Sequence, residues 1–253
     1  MQGEFQNWPY HFAGASSSMP FDMDDGTAKP LVAKLMEFVA ERRLQPGDRL
    51  PSERELAERL GSGRNAVREA IATLTSLRVV ESRPQSGIYL KEVRQRSSFE
   101  ALVLLSQLGL PPTASEVTET MEVRASLERT AIELACARRD QKDLAELERV
   151  LRQTETVLRE KGNIAEEDNA FHLALVGAAH NAILVRVLNA FYELTLPRRR
   201  LYFARLQRGR ASHRQHEEIV DAVGSRDAAR GIELMHLHME TARSYWRSEL
   251  SAR

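Results

Sequence analysis

The chain is poor in the residues that staple, kink or loosen a polypeptide. It has one cysteine, Cys136, so no intramolecular disulfide can form, and a reducing, cytoplasmic compartment is expected. Nine prolines and thirteen glycines among 253 residues exclude a collagen-like or low-complexity polymer, and a hydrophobic share of 42% excludes a chain too polar to fold. No run of about 18 apolar residues occurs, so no segment is expected to cross a membrane as a helix. The opening residues lack the basic start and continuous apolar middle of a secretory signal. Without an apolar period, residues 1–28 read as a disordered leader, native or added in cloning.

Net charge is also missing, but only in the sum. Residues 1–28 carry −4, residues 29–91 hold twelve basic against eight acidic side chains, and the remaining 162 residues balance at 24 of each. The length suits two domains of about 100–200 residues, and a basic excess confined to one of them points toward nucleic acid.

From Pro30 the sequence turns periodic. Leu31, Val32, Leu35, Met36, Phe38 and Val39 share a helical face that Pro46-Gly47 closes. Ser52 stands three residues before Glu55, a capping box that starts a second helix with Leu56, Ala57 and Leu60 on its apolar side. Gly61-Ser62-Gly63 breaks it. A third helix begins near Arg64, with Val67, Ala70, Ile71, Leu74 and Leu77 inward and Arg64, Asn65 and Arg68 opening its other face. Two short helices around a three-residue glycine turn are the layout of a helix-turn-helix, whose second helix enters the major groove. Arginine can donate bidentately to guanine or phosphate, and the amide of Asn65 suits adenine or a backbone oxygen. The β-prone runs 79–82 and 88–90, around a basic tip ending at Gly87, predict a hairpin wing.

The run from Leu50 to Gly61, followed by Arg64, Val67-Arg68-Glu69-Ala70 and the Gly87 wing, resembles the winged-helix domain of the GntR family of bacterial transcription regulators. The resemblance implies that Arg54, Arg64 and Arg68 contact double-stranded operator DNA and that the wing near Gly87 lies in the minor groove. The chain departs from the family pattern at Gly63, Asn65 and Ala66, where Ser, Thr and Pro are common, which bears on the operator sequence more than on DNA binding.

Residues 92–114 read as a linker helix ending in a Gly109 to Pro112 break. Residues 115–250 show only helical periods: 115–138, 141–160, 165–178, 181–208 interrupted at Pro197, 212–224 and 227–248. The expected fold is therefore mainly α: an N-terminal winged helix-turn-helix domain over 29–91 and a C-terminal all-α bundle of six or seven helices.

Polar residues stand in phase with this bundle's apolar faces. Asp168 and His172 keep the spacing of Phe171 and Leu175, and His216 is in phase with Ile219, Val220 and Val223. Of His236 and His238 the period cannot choose. A buried carboxylate needs a partner, and one Asp with three His suits a divalent transition metal such as Zn, Ni, Mn or Fe; the alternative is a set of core histidines satisfied by hydrogen bonds. Asp168-x-x-Phe171-His172, His216-Glu217-x-Ile219 and Met235-x-x-His238 resemble the signature blocks of the FCD ligand domain of FadR-type GntR regulators, and Met121 to Glu128 resembles its first helix. That likeness implies metal ligation by Asp168, His172, His216 and His238, with Arg124 facing the effector. His180, His213 and His236 have no counterpart and are expected at the surface or in caps, with His213 the one that could join the site, and Arg198-Arg199-Arg200 reads as a solvated helix start, one of whose arginines an acidic effector could use.

The expected protein is a ligand-responsive, DNA-binding regulator, a homodimeric repressor of a metabolic operon. Its effector is expected to be a small carboxylate bound beside the metal. A metal-dependent hydrolase is the rival and is disfavoured because no spare inward carboxylate is evident as a general base. A regulator sensing the metal itself is the third reading.

Overall fold

The computed structural model describes residues 28–92, 97–109 and 112–251. The expected leader and part of the break before the bundle lie outside them. The chain divides into two compact units, Met1–Ala101 and Leu102–Arg253.

In the first unit α1 (Ala28–Glu41), α2 (Glu53–Leu60) and α3 (Arg64–Ser76) are followed by β1 (Val80–Arg83) and β2 (Gly87–Leu90). The capping box at α2 is formed: the Ser52 hydroxyl accepts from the Glu55 amide at 3.3 Å, and Glu55 accepts from the Ser52 amide at 2.9 Å. Gly61 ends α2 in the left-handed conformation at φ 62°, which glycine adopts without a Cβ penalty. Val32 and Leu35 from α1, Leu56 from α2 and Val67 and Leu74 from α3 close over one core, all fully buried. The two strands pair antiparallel in a register from Val80 with Leu90 to Arg83 with Gly87. A feature not read from the sequence widens this wing at its base. Residues 47–50 lie along β2, with an Arg49–Tyr89 bridge and a Leu50 amide donating to the Ile88 carbonyl at 2.8 Å.

A short helix, α4 (Phe99–Gln107), precedes six longer ones: α5 (Ala114–Arg138), α6 (Gln141–Arg159), α7 (Ala165–Gly177), α8 (Ala182–Tyr202), α9 (Leu206–Gly224) and α10 (Ala228–Ser251). Capping boxes start α5 at Thr113 and α6 at Asp140, and Asn181 caps α8. The bundle core joins Ile132 of α5, Leu147 of α6, Phe171 and Leu175 of α7, Ile219 of α9 and Met235 of α10. Helix ends are tied across the bundle. Arg226 donates to the carbonyls of Cys136, Ala137 and Arg139 at the end of α5, and Arg139 reaches back to those of Val223 and Gly224 at the end of α9.

Two sequence expectations fail here. Pro197 does not interrupt its helix; α8 runs through it to Tyr202, and α9 begins at Leu206, earlier than the expected 212. The turn falls at 203–205 because Phe203 is drawn into an apolar cluster with Leu158, Ile164 and Ala165, and burial there outweighs the one backbone hydrogen bond that proline removes. The triplet Arg198-Arg199-Arg200 is therefore no solvated helix start. It lies in the last turns of α8, with Arg199 6% exposed.

Gly231 marks where α10 packs most closely on α5, since a Cβ there would stand 2.8 Å from Cγ2 of the fully buried Ile132. Ala favours a helix over Gly by about 1 kcal/mol, whereas overpacking a rigid core costs about 1–3 kcal/mol. Gly231→Ala is therefore expected to lower the melting temperature. An unchanged or higher value would show that the α5–α10 contact is loose.

Candidate functional site

The exposed face of the first unit gathers several of the residues singled out above. Arg54 on α2 and Arg64, Asn65 and Arg68 on the first turns of α3 are all exposed. Arg68 is held by Glu53, its Nε and Nη2 donating at 3.2 and 3.1 Å. Gly63 caps α3 without a side-chain acceptor, which leaves the first amides of the helix open to an outside anion. Gly87 has φ 126°, so the wing needs glycine for its backbone conformation, whereas the Arg49 side chain that a Cβ would meet can swing aside.

The second unit buries a cluster of charge. Asp168 and His172 sit one turn apart on α7, His216 comes from α9 and His238 from α10, and one ligand atom from each falls within 4.8 Å of all the others. The structure thus separates the two α10 histidines: His238 is buried and His236 exposed. Secondary contacts fix the set. Phe171 stacks on the His216 ring at 3.7 Å, Ser212 donates to Asp168 Oδ1 at 3.2 Å, and Gln215 Oε1 lies 2.9 Å from His238 Nδ1, leaving Nε2 as that ring's other donor.

Three residues in or beside this cluster escaped the sequence reading. Glu128 on α5 is fully buried: Tyr192 donates to its Oε1 at 3.0 Å, Arg124 Nε at 3.1 Å, and His172 Nδ1 stands 3.1 Å away, near but poorly aligned. Glu128 is thus an inward carboxylate the sequence reading did not single out, but Arg124 and Tyr192 engage it, so it is not a spare one. Arg199 is the second, with Nε 3.0 Å from Asp168 Oδ2, Nη1 on Asn169 and Nη2 on Thr195. His213 is the third; it is buried rather than a surface or capping residue, but it stays outside the cluster beside Glu217. His180, as expected, is exposed, with Asp143 at 2.8 Å.

Electrostatics assigns the protonation states. Burial pushes the Glu128 carboxyl up, but His172, Arg124 and the Tyr192 hydroxyl outweigh it and hold the group down at about 2. Asp168 is likewise raised by burial and lowered further by Arg199 and His172, so it too is an anion. Burial, then the neighbouring imidazoles, depresses His216 well below the usual range and His238 to about 3. Asp168 is thus a carboxylate, and His216 and His238 are neutral imidazoles. A base held near 2 takes protons poorly at neutral pH, so Glu128 does not supply the general base a hydrolase needs.

Asp168, His172 and His238 line a pocket of about 60 Å³ together with Arg124, Arg198, Arg199, Met121, Met239 and Trp246. Among the described residues no helix is long and apolar enough to cross a membrane.

Comparison with known proteins agrees with both halves. A family model described as "Bacterial regulatory proteins, gntR family" matches residues 27–90, and one described as "FCD domain" matches 119–241. The HTH-type transcriptional regulator LutR of Bacillus subtilis is 32% identical over 214 residues, 80% of this chain and 93% of that protein. The galactonate operon transcriptional repressor of Escherichia coli is 25% identical, over 78% of this chain and 86% of that protein. The solved structure of Lar, which controls expression of the Listeria monocytogenes agr system, covers 90% of this chain and all of that one with a TM-score of 0.65 at 18% identity, a likeness of fold.

The depressed imidazoles set a pH dependence. Unfolded histidines take up protons below about 6.5 that His216 and His238 refuse when folded, so stability rises with pH through that window and levels off above it. For metal-stripped protein the unfolding free energy is expected to fall from pH 7 to pH 4.5, by at most about 1.4 kcal/mol per pH unit for each imidazole. His238→Gln should make the slope shallower. A flat profile in the parent would mean that these rings are not buried neutral.

Proposed function

The chain belongs to the GntR family of bacterial regulatory proteins and carries an FCD domain, and from that premise we propose that it is a metabolite-responsive repressor whose effector pocket is built around a divalent metal. It is a DNA-binding transcription regulator, not an enzyme. The single observation that carries the metal is a buried donor without a hydrogen bond inside the cluster: His172 Nε2, 3.9 Å from Asp168 Oδ2, makes none among the described residues. Donors about 2.0–2.2 Å from one ion stand roughly 3–4.3 Å apart, close to the 4.8 Å spread found here. Asp168, His172, His216 and His238 would hold the ion, which when bound supplies a Lewis-acid position for an anionic oxygen. Arg124, fixed by Glu128, is placed to pair with a carboxylate at the same position. Arg199 offsets the Asp168 charge from 3.0 Å.

On the DNA side, Arg64, Asn65 and Arg68 enter the major groove, while Arg54 and the uncapped start of α3 hold phosphate. The Glu53–Arg68 pair is exposed and therefore weak enough to open in favour of DNA. The wing near Gly87 follows the minor groove. We further propose a homodimer acting in the cytoplasm. Ile183 and Val187, one turn apart on α8, are 66% and 41% exposed, an apolar row that a second copy would cover. Repression is the sign suggested by the galactonate operon relative.

Metal analysis of protein purified without chelator or nickel is expected to give about one equivalent per chain, with His216→Ala losing most of it. Less than about a tenth of an equivalent, unchanged after adding Zn, Ni or Mn, would refute the site.

On an operator selected from random-sequence DNA, Arg64→Ala or Arg68→Ala should cost about 1–3 kcal/mol. Arg124→Ala should instead weaken the response to a binding acid. Operator binding that follows metal concentration alone would favour the metal-sensing reading. If both α3 variants bind like the parent, α3 does not read the DNA.

A further inference from the structure

We infer that Arg198, together with Arg124, reads the effector's acid group, and that the effector is an organic acid with an apolar body rather than a polyhydroxylated sugar acid or a dicarboxylate. The inference rests on the effector pocket proposed above and narrows what fills it.

The first observation concerns the three guanidiniums that line the pocket. Two have carboxylates of their own: Arg124 has Glu128 at 3.1 Å and Arg199 has Asp168 at 3.0 Å. Arg198 has none within ion-pair distance among the described residues, and its Nη1 is buried without a hydrogen-bond acceptor. A buried donor left unmade costs about 1–3 kcal/mol, more for a charged group. Burial and the repulsion of Arg124 and Arg199, only partly offset by the more distant Glu116, lower the Arg198 pKa to about 10, the same imbalance seen as charge. An anion in the pocket relieves both, and Arg124, whose Nη2 stands 3.1 Å from Glu128 Oε1 without an aligned hydrogen bond, is the second donor available to it. A planar carboxylate between two guanidiniums satisfies the geometry that arginine favours.

The second observation concerns the remaining polar groups, most of which are already committed. Ser212 donates to Asp168, Gln215 pairs with His238, and the Thr195 hydroxyl donates to Phe191 and Tyr192 carbonyls and accepts from Arg199. Few are left to bind a row of ligand hydroxyls. The rest of the wall is Met121, Phe203, Met239, Ala242 and Trp246, with Tyr202 the one further hydroxyl-bearing residue. A sugar acid pressed on that surface would strip water from several hydroxyls without replacing their hydrogen bonds, and a second carboxylate lying on that wall would lose its water with no cation beside it. A hydrocarbon or aromatic body gains from the same contact. Thioether side chains adapt to its shape.

The test is calorimetry on the full-length, metal-loaded protein with three probe acids: 3-phenyllactate, gluconate and malate. Phenyllactate is expected to bind at least tenfold tighter than the other two. Arg198→Ala and Arg198→Lys should each weaken it about tenfold or more, with metal content and the circular-dichroism spectrum checked for each variant. Lysine keeps the charge but loses the planar fork, so it guards against a mere folding defect. Preference for gluconate or malate, binding of phenyllactate to Arg198→Ala as tight as to the parent, or no binding of any probe would each overturn the inference. Failure of the underlying pocket looks different: phenyllactate would then bind equally well to Arg124→Ala and to metal-stripped protein, which overturns both.

Discussion

The structure of the second unit is organised by one constraint, the burial of two carboxylates in a helical core. Glu128 and Asp168 are 0% and 4% exposed, and an ionised carboxylate so placed must be compensated nearly completely. The bundle supplies that compensation from four different helices. Arg124 and His172 face Glu128, and Arg199, Ser212 and His216 face Asp168. Tyr192 links the halves, since its hydroxyl bonds Glu128 while its ring lies under both arginines at 5.0 and 5.7 Å. The crossing of α5, α7, α8, α9 and α10 is thus tied to a polar centre as well as to an apolar one. A centre compensated only from within would leave no donors over. Here an imidazole nitrogen and an arginine donor remain without hydrogen bonds, which is the physical ground for reading the cluster as a receptor rather than a staple.

The first unit follows a different economy. Its core is wholly apolar, and its charges lie on the outside, where a guanidinium held by an exposed ion pair can be handed to phosphate at little cost. Precision comes from the backbone instead: the capping box at Ser52, the left-handed Gly61 and the open start of α3 at Gly63 fix where Arg64 and Asn65 stand. Sequence dictates the placement of this helix through caps and turns, and dictates its contacts through a handful of exposed side chains.

Those local rules are why the reading head was legible in the sequence. The Ser52–Glu55 spacing, the glycine turn and the Gly87 hairpin each act over a few residues. In the bundle, the α7 pair and His216 were legible from period alone, because each falls on a face otherwise made of core residues. His238 could not be told from His236, since both have apolar neighbours in phase, and only its likeness to the family pattern selected it. Glu128 and Arg199 were missed although a signal existed. Val117, Met121, Arg124, Glu128, Ala131 and Ala135 form one buried stripe on α5, in which two opposite charges stand one turn apart. Leu188, Tyr192, Thr195 and Arg199 form another on α8, hidden by the assumption that Pro197 breaks the helix. Long-range burial decided both cases, and a rule applied residue by residue does not contain it.

If the charged centre is the receptor and α3 the reader, the two must share free energy. Differential binding of an acid to DNA-competent and incompetent states by about 1–3 kcal/mol corresponds to a 5–150-fold change in operator affinity, and linkage demands the same factor in reverse. The most direct measurement is therefore the affinity of metal-loaded protein for a binding acid, determined once free and once saturated with operator DNA. A ratio that equals, within error, the acid-induced change in operator affinity is the predicted result. Acid affinity identical in the two states, with operator affinity unmoved by saturating acid, would contradict it and leave the cluster a structural element of the bundle.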